Sequence, residues 1–265
     1  MSAMVILLHS SKTMRRAVSE QPLRQPQLIG KATTLAAYIK TLSPKQLAAA
    51  MHISGPLAEK THAIMAEWTN DPSQQTLAID SFVGDIYKGL RPATLSAADR
   101  DYADKTLLIL SGLYGCIRPY DGISPYRLEM MYKLPDPKFA NLYKYWGESI
   151  AECVPSGELI VNVSSVEYSQ TITRYVDPAR VVAPNFLTVN PASGEPVFVV
   201  LHAKIARGAF ARWLITSRIT DVADFKQFAE FGYQYNKELS VPGKPAFVCQ
   251  TFTGTAMGVA KSLPT

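Results

Sequence analysis

Cysteine and histidine are scarce, with three and four in 265 residues. Cys116, Cys153 and Cys249 stand far apart with no CxxC or CxxH spacing, which excludes a locally encoded zinc site or thiol redox motif. Their odd number argues against a secreted disulfide framework, and they read as small buried hydrophobes. His9, His52, His62 and His202 form no HExxH or HxH pair, so the sequence writes no metal site. Neither GxGxxG nor a GxxxxGKS or GxxxxGKT run occurs, which excludes the dinucleotide fingerprint and the P-loop, and no cofactor is expected. Long apolar runs are also missing. The opening stretch Ala3–Leu8 has no signal-cleavage pattern, and no later one approaches the roughly 18 residues of a membrane span. A soluble, cytoplasmic chain without a membrane partner is expected.

What is present is apolar material and unevenly placed charge. Hydrophobic residues make up 47%, charged residues 18%, and the 15 glycines and 18 prolines follow no repeat. A disordered, collagen-like or coiled-coil chain is thereby excluded, and a single large domain or two small ones fit the length. The net charge of +5 is segregated. Lys12, Arg15, Arg16, Arg24, Lys31, Lys40 and Lys45 face one acid, Glu20, within residues 1–58, and the rest of the chain is close to neutral. A second acid-free window, Pro196–Thr220, holds Lys204, Arg207, Arg212 and Arg218. Such segregation attracts polyanions, or else forms a solvated basic face. The nucleic-acid reading requires the two cation-rich regions to share a face.

β-branched runs predict strands at Met4–His9, Thr106–Leu110, Leu159–Val163, Val181–Ala183, Val197–His202 and Phe247–Phe252. Helical spacing predicts helices at Thr33–Leu42, Lys45–Met51, Pro56–Trp68, Ala97–Lys105, Asn141–Cys153, Ala203–Ser217 and Val222–Phe231. Residues 12–30 read as a long exposed loop, and the tail from about 253 as irregular. Without a regular βαβ beat, the fold class is α+β, one compact mixed domain over 1–265.

Four stretches suggest chemistry. Between about 43 and 68, Ser43 caps a first helix, the chain turns at His52–Gly55, and a second helix follows. This is a helix-hairpin-helix, whose backbone N–H groups at Ser54 and Gly55, with Lys60 a turn later, would meet a DNA phosphate; an ordinary helical hairpin is the alternative. Lys204, Arg207 and Arg218 share one face of the later helix, with Arg212 on its flank, either as a wet basic face or as a phosphate-tracking ridge. Leu110–Glu129 turns at Gly112, Gly115, Pro119, Gly122 and Pro125. Its Arg118 and Arg127 among tyrosines suit stacking and phosphate contact, or else an Ω-loop with internal ion pairs. His9–Thr13, with Lys12, weakly resembles an anion site. Asp85, Glu129 and Glu167 are the candidate acid–base carboxylates, although no spacing rule places them together.

Several segments, SSKT (10–13), GDIYKGL (84–90), LSGLYGCIRPYDGISPYRLEM (110–130), LYKYWGE (142–148), NVSSVEY (162–168) and HAKIARG (202–208), resemble the YaaA family of peroxide-stress proteins. The resemblance spans nearly the whole chain. It implies a compact α+β fold peculiar to that family, with a basic cleft and a helix-hairpin-helix. It further implies DNA binding with little sequence preference, linked to oxidative stress and repair, and a role in limiting free intracellular iron. Lys12, Thr13, Lys204, Arg207 and Gly208 match family positions. Departures are His9-Ser10 for a usual Ser-Pro, His202 for a common Tyr, and Gly55-Pro56 for a more polar pair carrying a Lys. The expected partner is therefore duplex or branched DNA, held by Lys12, Ser54, Gly55, Lys60, Arg118, Arg127, Lys204, Arg207 and Arg212. The alternative is an N-glycosidic hydrolase acting on a nucleotide or nucleobase, with Asp85, Glu129 and Glu167 around a small-molecule pocket.

Overall fold

In the computed structural model, residues 4–16 and 24–254 are described. The strands are β1 (Met4–His9), β2 (Thr13–Met14), β3 (Thr76–Leu77), β4 (Phe82–Val83), β5 (Leu107–Ser111), β6 (Gly115–Ile117), β7 (Gly122–Ile123), β8 (Leu159–Asn162), β9 (Val181–Val182), β10 (Asn185–Val189), β11 (Pro196–Val197), β12 (Tyr233–Val241) and β13 (Lys244–Cys249). The helices are α1 (Ile29–Lys40), α2 (Pro44–Met51), α3 (Gly55–Ala66), α4 (Ala78–Ser81), α5 (Asp85–Leu90), α6 (Ala97–Thr106), α7 (Leu142–Trp146), α8 (Val166–Thr173) and α9 (Val200–Thr216).

β1 is the middle of a five-stranded sheet ordered β6-β5-β1-β8-β9. All six of its residues are buried, which is why it reads as an unbroken apolar run rather than an alternating one. It pairs in parallel with β5 on one side and β8 on the other. β9 extends the parallel set, and β6 closes the far edge antiparallel. The sheet order therefore reverses at β1, and in parallel sheets such a switch point opens a crevice beyond the carboxyl ends of the strands.

A second sheet, β11-β10-β13-β12, is packed by α9 through aromatic side chains. Phe210 of α9 lies 5.0 Å from Phe228 and 5.5 Å from Phe247, ring centre to ring centre. One continuous buried core includes residues of both sheets, giving one compact α+β domain. Among the described residues no helix is long and apolar enough to cross a membrane.

Five of the expected strands and five of the expected helices form with their ends shifted by a few residues at most. Three expectations are corrected. Asn141–Cys153 is not one helix: Gly147, at φ +54°, ends α7, and only a short 3-10 turn, Ala151–Cys153, follows. Val197–His202 is not a strand. Only Pro196–Val197 pairs with β10, and α9 starts at Val200, so tertiary position overrides the β-branched preference. Val222–Phe231 forms a 3-10 segment over Val222–Gln227, capped by the Asp221 side chain, rather than a helix. In the expected 12–30 loop, Thr13–Met14 pairs with Phe82–Val83 and α1 starts at Ile29, while residues 17–23 lie outside the described set. Of the expected irregular tail, residues 255–265 also lie outside it.

Helices α2 and α3 form a hairpin. Ser43 and Gln46 make a reciprocal capping box at the start of α2, and His52 closes it in a left-handed conformation at φ 51°. Ser54 precedes α3 without a side-chain cap, Ser54 and Gly55 are exposed, and Ala58 is fully buried in the core.

Candidate functional site

A cleft of about 360 Å³ opens at the carboxyl end of β1, where the sheet order reverses. Its walls come from five separated segments: His9–Thr13, Val83–Ile86, Glu129, Ser165–Tyr168 and Lys204. Lys12, Asp85, Glu129, Glu167 and Lys204, all singled out from the sequence, therefore share one site.

The β1–β2 turn is held in place by its surroundings. Ser10 N–H donates to the Leu110 carbonyl at 2.8 Å, and the Ser11 hydroxyl donates to the Val83 carbonyl. β2 pairs with β4, which brings Ser11 against Gly84. A Cβ at Gly84 would lie 2.6 Å from Ser11 Oγ, so a larger residue there would have to turn the Ser11 hydroxyl away from the Val83 carbonyl. Arg127 supports the turn from outside, donating from Nη1 to the Lys12 carbonyl at 3.3 Å.

His9 forms the floor. Its Nδ1 accepts the Ser165 backbone N–H at 3.2 Å, which leaves the ring proton on Nε2. Its ring stacks on Tyr168 at 5.3 Å, and Tyr87 donates its hydroxyl proton to the His9 carbonyl. Burial, then the nearby charges of Arg207 and Lys204, push the His9 imidazole down to about 3, so it is neutral at physiological pH. The Tyr168 hydroxyl is buried with no hydrogen-bond partner among the described residues. Burial holds its ionisation well above the usual phenol range.

The three carboxylates differ. Asp85, the first residue of α5, pairs with exposed Lys88 at 2.8 Å, the ordinary spacing of a helix-surface ion pair. Glu167, in the first turn of α8, accepts the Met131 backbone N–H at 3.2 Å. Glu129 is buried and sits 3.7 Å from Lys12 Nζ. Burial, then repulsion from Glu167, raises the Glu129 carboxyl above its ordinary value. A carboxyl raised in this way, with a second acid in the same cleft, is suited to acid–base work.

The cations divide sharply. Lys204 lines the cleft, and Arg207 lies one turn further along α9 with its guanidinium 5.8 Å from the Phe198 ring centre. Neither has an ion pair among the described residues. Other cations hold the fold together. Arg212 donates to the carbonyls of Leu90, Arg91 and Thr94. Arg218 pairs with Asp99 at 2.8 Å and lies over Tyr102. Arg24 is bidentate to Asp104 and also bonds Asp121. Arg16 pairs with Glu67, Arg15 donates to the Asp80 carbonyl, and Lys31 and Lys40 donate to backbone carbonyls of other segments. The positive segment 1–58 is thus largely engaged by local partners. Three carboxylates, Asp85, Glu129 and Glu167, also line the cleft with Lys12 and Lys204.

The remaining sequence candidates lie elsewhere. Arg118 lines a separate cavity with Arg24 and Asp121, and Ser54, Gly55 and Lys60 sit on the α2–α3 hairpin. His9 was noted only within the His9–Thr13 stretch and Tyr168 only within the NVSSVEY block, and neither was named as a site residue from the sequence. The available signals were a histidine at the end of a fully apolar strand and the tyrosine of the NVSSVEY block. Among the described residues no group of three or more His, Cys, Asp or Glu side chains is placed to hold a metal ion.

Known proteins share this sequence pattern. A family model described as "Peroxide stress protein YaaA" matches residues 4–239. A UPF0246 protein of Salinispora tropica is 54% identical over 259 residues, covering 97% of this chain and 98% of the relative. A UPF0246 protein of Shewanella sp. (strain ANA-3) is 34% identical over 257 residues, covering 92% and 98%. One from Cereibacter sphaeroides is 37% identical over 230 residues, covering 84% and 89%. With nearly the whole chain matched, this chain belongs to the YaaA family of peroxide stress proteins.

Proposed function

We propose that this chain acts in peroxide-stress defence by binding DNA through its backbone phosphates, with little sequence preference, so protecting the DNA or supporting its repair. The observation that carries this reading is the pair Lys204 and Arg207. They are one turn apart, without ion pairs among the described residues, and close enough to His9 to depress its protonation. Lys12, from the other cation-rich region, lines the same cleft. The α2–α3 hairpin offers a second contact, with exposed Ser54 and Gly55 before α3 and exposed Lys60 a turn later. Because acids balance cations around the cleft, phosphate contact belongs at its rim, with Lys204 and Arg207 as the leading residues.

Mobility shifts on duplex and branched DNA across a salt series test this. Counterion release predicts log affinity falling linearly with log salt, and each phosphate contact removed lowers the slope by about 0.9. Lys204→Ala and Arg207→Ala should each weaken all sequences alike and flatten the slope. Absence of binding, or affinity indifferent to salt, would overturn the proposal.

A second reading is favoured by the convergence of Glu129 and Glu167 beside the Tyr168 hydroxyl, which is buried without a hydrogen-bond partner among the described residues. In it the cleft takes a nucleotide or nucleobase and cleaves an N-glycosidic bond. Glu129, its carboxyl raised by burial, donates to the leaving base, and Glu167 stabilises the sugar cation or directs water. Incubation with nucleotides and damaged oligonucleotides separates the two. Base release that Glu129→Gln and Glu167→Gln abolish, with DNA affinity retained, supports the enzyme. Binding without product leaves the DNA-binding reading alone.

A further inference from the structure

Far from the chemistry of the cleft, the second sheet leaves apolar side chains exposed around a concavity. β12 is the outermost strand of that sheet and pairs only with β13 among the described residues. A groove of about 480 Å³ opens between this hairpin, the 3-10 segment Val222–Gln227 and β9 of the first sheet. Buried Val182 and Phe225 line it, together with Val222, Tyr235 and Val241, which are 37%, 38% and 56% exposed. Exposed apolar side chains from separate elements around one hollow mark a recognition surface, whereas scattered ones do not. The walls are fixed by hydrogen bonds. The Ala183 N–H donates to the Gly243 carbonyl at 2.8 Å, which ties the hairpin tip to the end of β9. In the bulge of β12, Asn236 Oδ1 accepts the Leu239 N–H at 2.9 Å and Ser240 Oγ accepts the Ala246 N–H at 2.9 Å. A groove held in this way binds without first ordering its own backbone.

We propose that this groove docks a short acidic peptide of a partner protein, with an aliphatic or aromatic side chain seated against Val182 and Phe225 and carboxylates meeting Lys226 and Lys237. Those two lysines are the charged residues of the lining, and both are exposed. Neither has an ion pair among the described residues. The nearby acids are turned to other work. Asp221 accepts the Ala223 N–H at 2.8 Å, Asp224 accepts from Gln227 Nε2 at 2.7 Å, and Glu238 lies outside the lining. An apolar hollow rimmed by unpaired cations is complementary to an anion with an apolar side chain. Duplex DNA fits it less well, because a phosphate backbone asks for a row of cations and gains nothing from apolar walls. A symmetric pair of copies fits less well too, since the same lysines would meet each other across the two-fold. The groove shares no lining residue with the cleft at β1, so the two sites are separate.

The experiment pans a phage-displayed random-peptide library on the full-length chain and measures the enriched peptides by fluorescence anisotropy. The expected peptides carry Asp or Glu beside Leu, Ile, Phe or Trp, and they bind more weakly as salt rises. Lys226→Glu and Lys237→Glu should each weaken them by about tenfold or more, and Val241→Asp should do the same. All three positions are exposed, so the variants should fold, which an unchanged melting temperature checks. Lys204→Ala, in the cleft, should leave peptide affinity as it was. The proposal is overturned if no peptide is enriched, if the enriched peptides are basic or uncharged, or if reversing both lysines leaves their affinity intact. Two further results overturn it by giving the groove another occupant. One is displacement of the peptide by duplex DNA. The other is a dimer in sedimentation velocity that Val241→Asp abolishes.

Discussion

Gly208→Ala offers a quantitative test of how the cleft is held together. Helices α5 and α9 cross where Gly89 faces Gly208, with no side chain between their backbones. A Cβ on Gly208 would stand 1.8 Å from the Ile86 carbonyl oxygen and 2.8 Å from the Leu90 nitrogen. The reciprocal Cβ on Gly89 would stand 2.0 Å from the Ile205 oxygen. Ordinary contact begins near 3.4 Å, so α5 must withdraw by 3.4 − 1.8, or 1.6 Å. Backbone on both sides leaves no flexible end to give way. Overpacking of this kind costs about 1–3 kcal/mol or more, whereas alanine in a free helix position gains roughly 1 kcal/mol over glycine. With rigid backbone as the obstacle the clash belongs at the top of that range and should win by ~2 kcal/mol, read as a lower urea midpoint and a melting temperature reduced by about 4–8 °C. Because α5 carries Asp85 and α9 carries Lys204 and Arg207, DNA or ligand affinity should fall as well. Gly30→Ala in α1 is the control: no atom lies within 4 Å of its added Cβ, and it should stabilise slightly. If Gly208→Ala is as stable as the parent while Gly30→Ala gains, the glycine-contact explanation is wrong.

The His9 imidazole, held near 3 against an ordinary 6.5, should show no titration between pH 5 and 8 by NMR. Because the folded value is depressed, stability is full above about pH 6.5 and is lost as pH falls towards 3. The 3.5-unit difference (6.5 − 3) corresponds to at most roughly 5 kcal/mol, and a His9 that titrates near 6.5 refutes this. Tyr114→Phe removes the oxygen that accepts Trp68 Nε1–H at 2.8 Å and Ser124 N–H at 2.9 Å. Leaving both donors buried and unpaired should cost about 2–4 kcal/mol in denaturant unfolding, and a change under ~0.5 kcal/mol would contradict it. Lys60→Ala separates hairpin from cleft: if both touch phosphate, combining it with Lys204→Ala should lower the salt slope by roughly 1.8 in total.

The blocks that mark the family are legible in the sequence, and so are the elements built on strong local signals. β1 announces itself through six consecutive buried positions, and α2 through its Ser43-Pro44 start. α5 and α8 do not. They are six and eight residues long, rich in glycine or in β-branched and aromatic residues, and too short for periodicity to establish. Yet these two helices carry Asp85 and Glu167 into the cleft.

Composition and local order were enough to decide an α+β chain with an unbroken apolar central strand and its cations crowded into two segments, because strand burial and charge count are properties of neighbours along the chain. Only tertiary structure decided what those cations do. Arg24 meets Asp104 and Asp121, some 80 and 97 positions away, whereas Lys204 and Arg207 meet no acid among the described residues. It also decided that Asp85, Glu129 and Glu167 share one crevice. Ion pairs and raised carboxyl affinities act over a few ångströms in space. The strand order that reverses at β1 sets those distances, and no spacing along the chain encodes it.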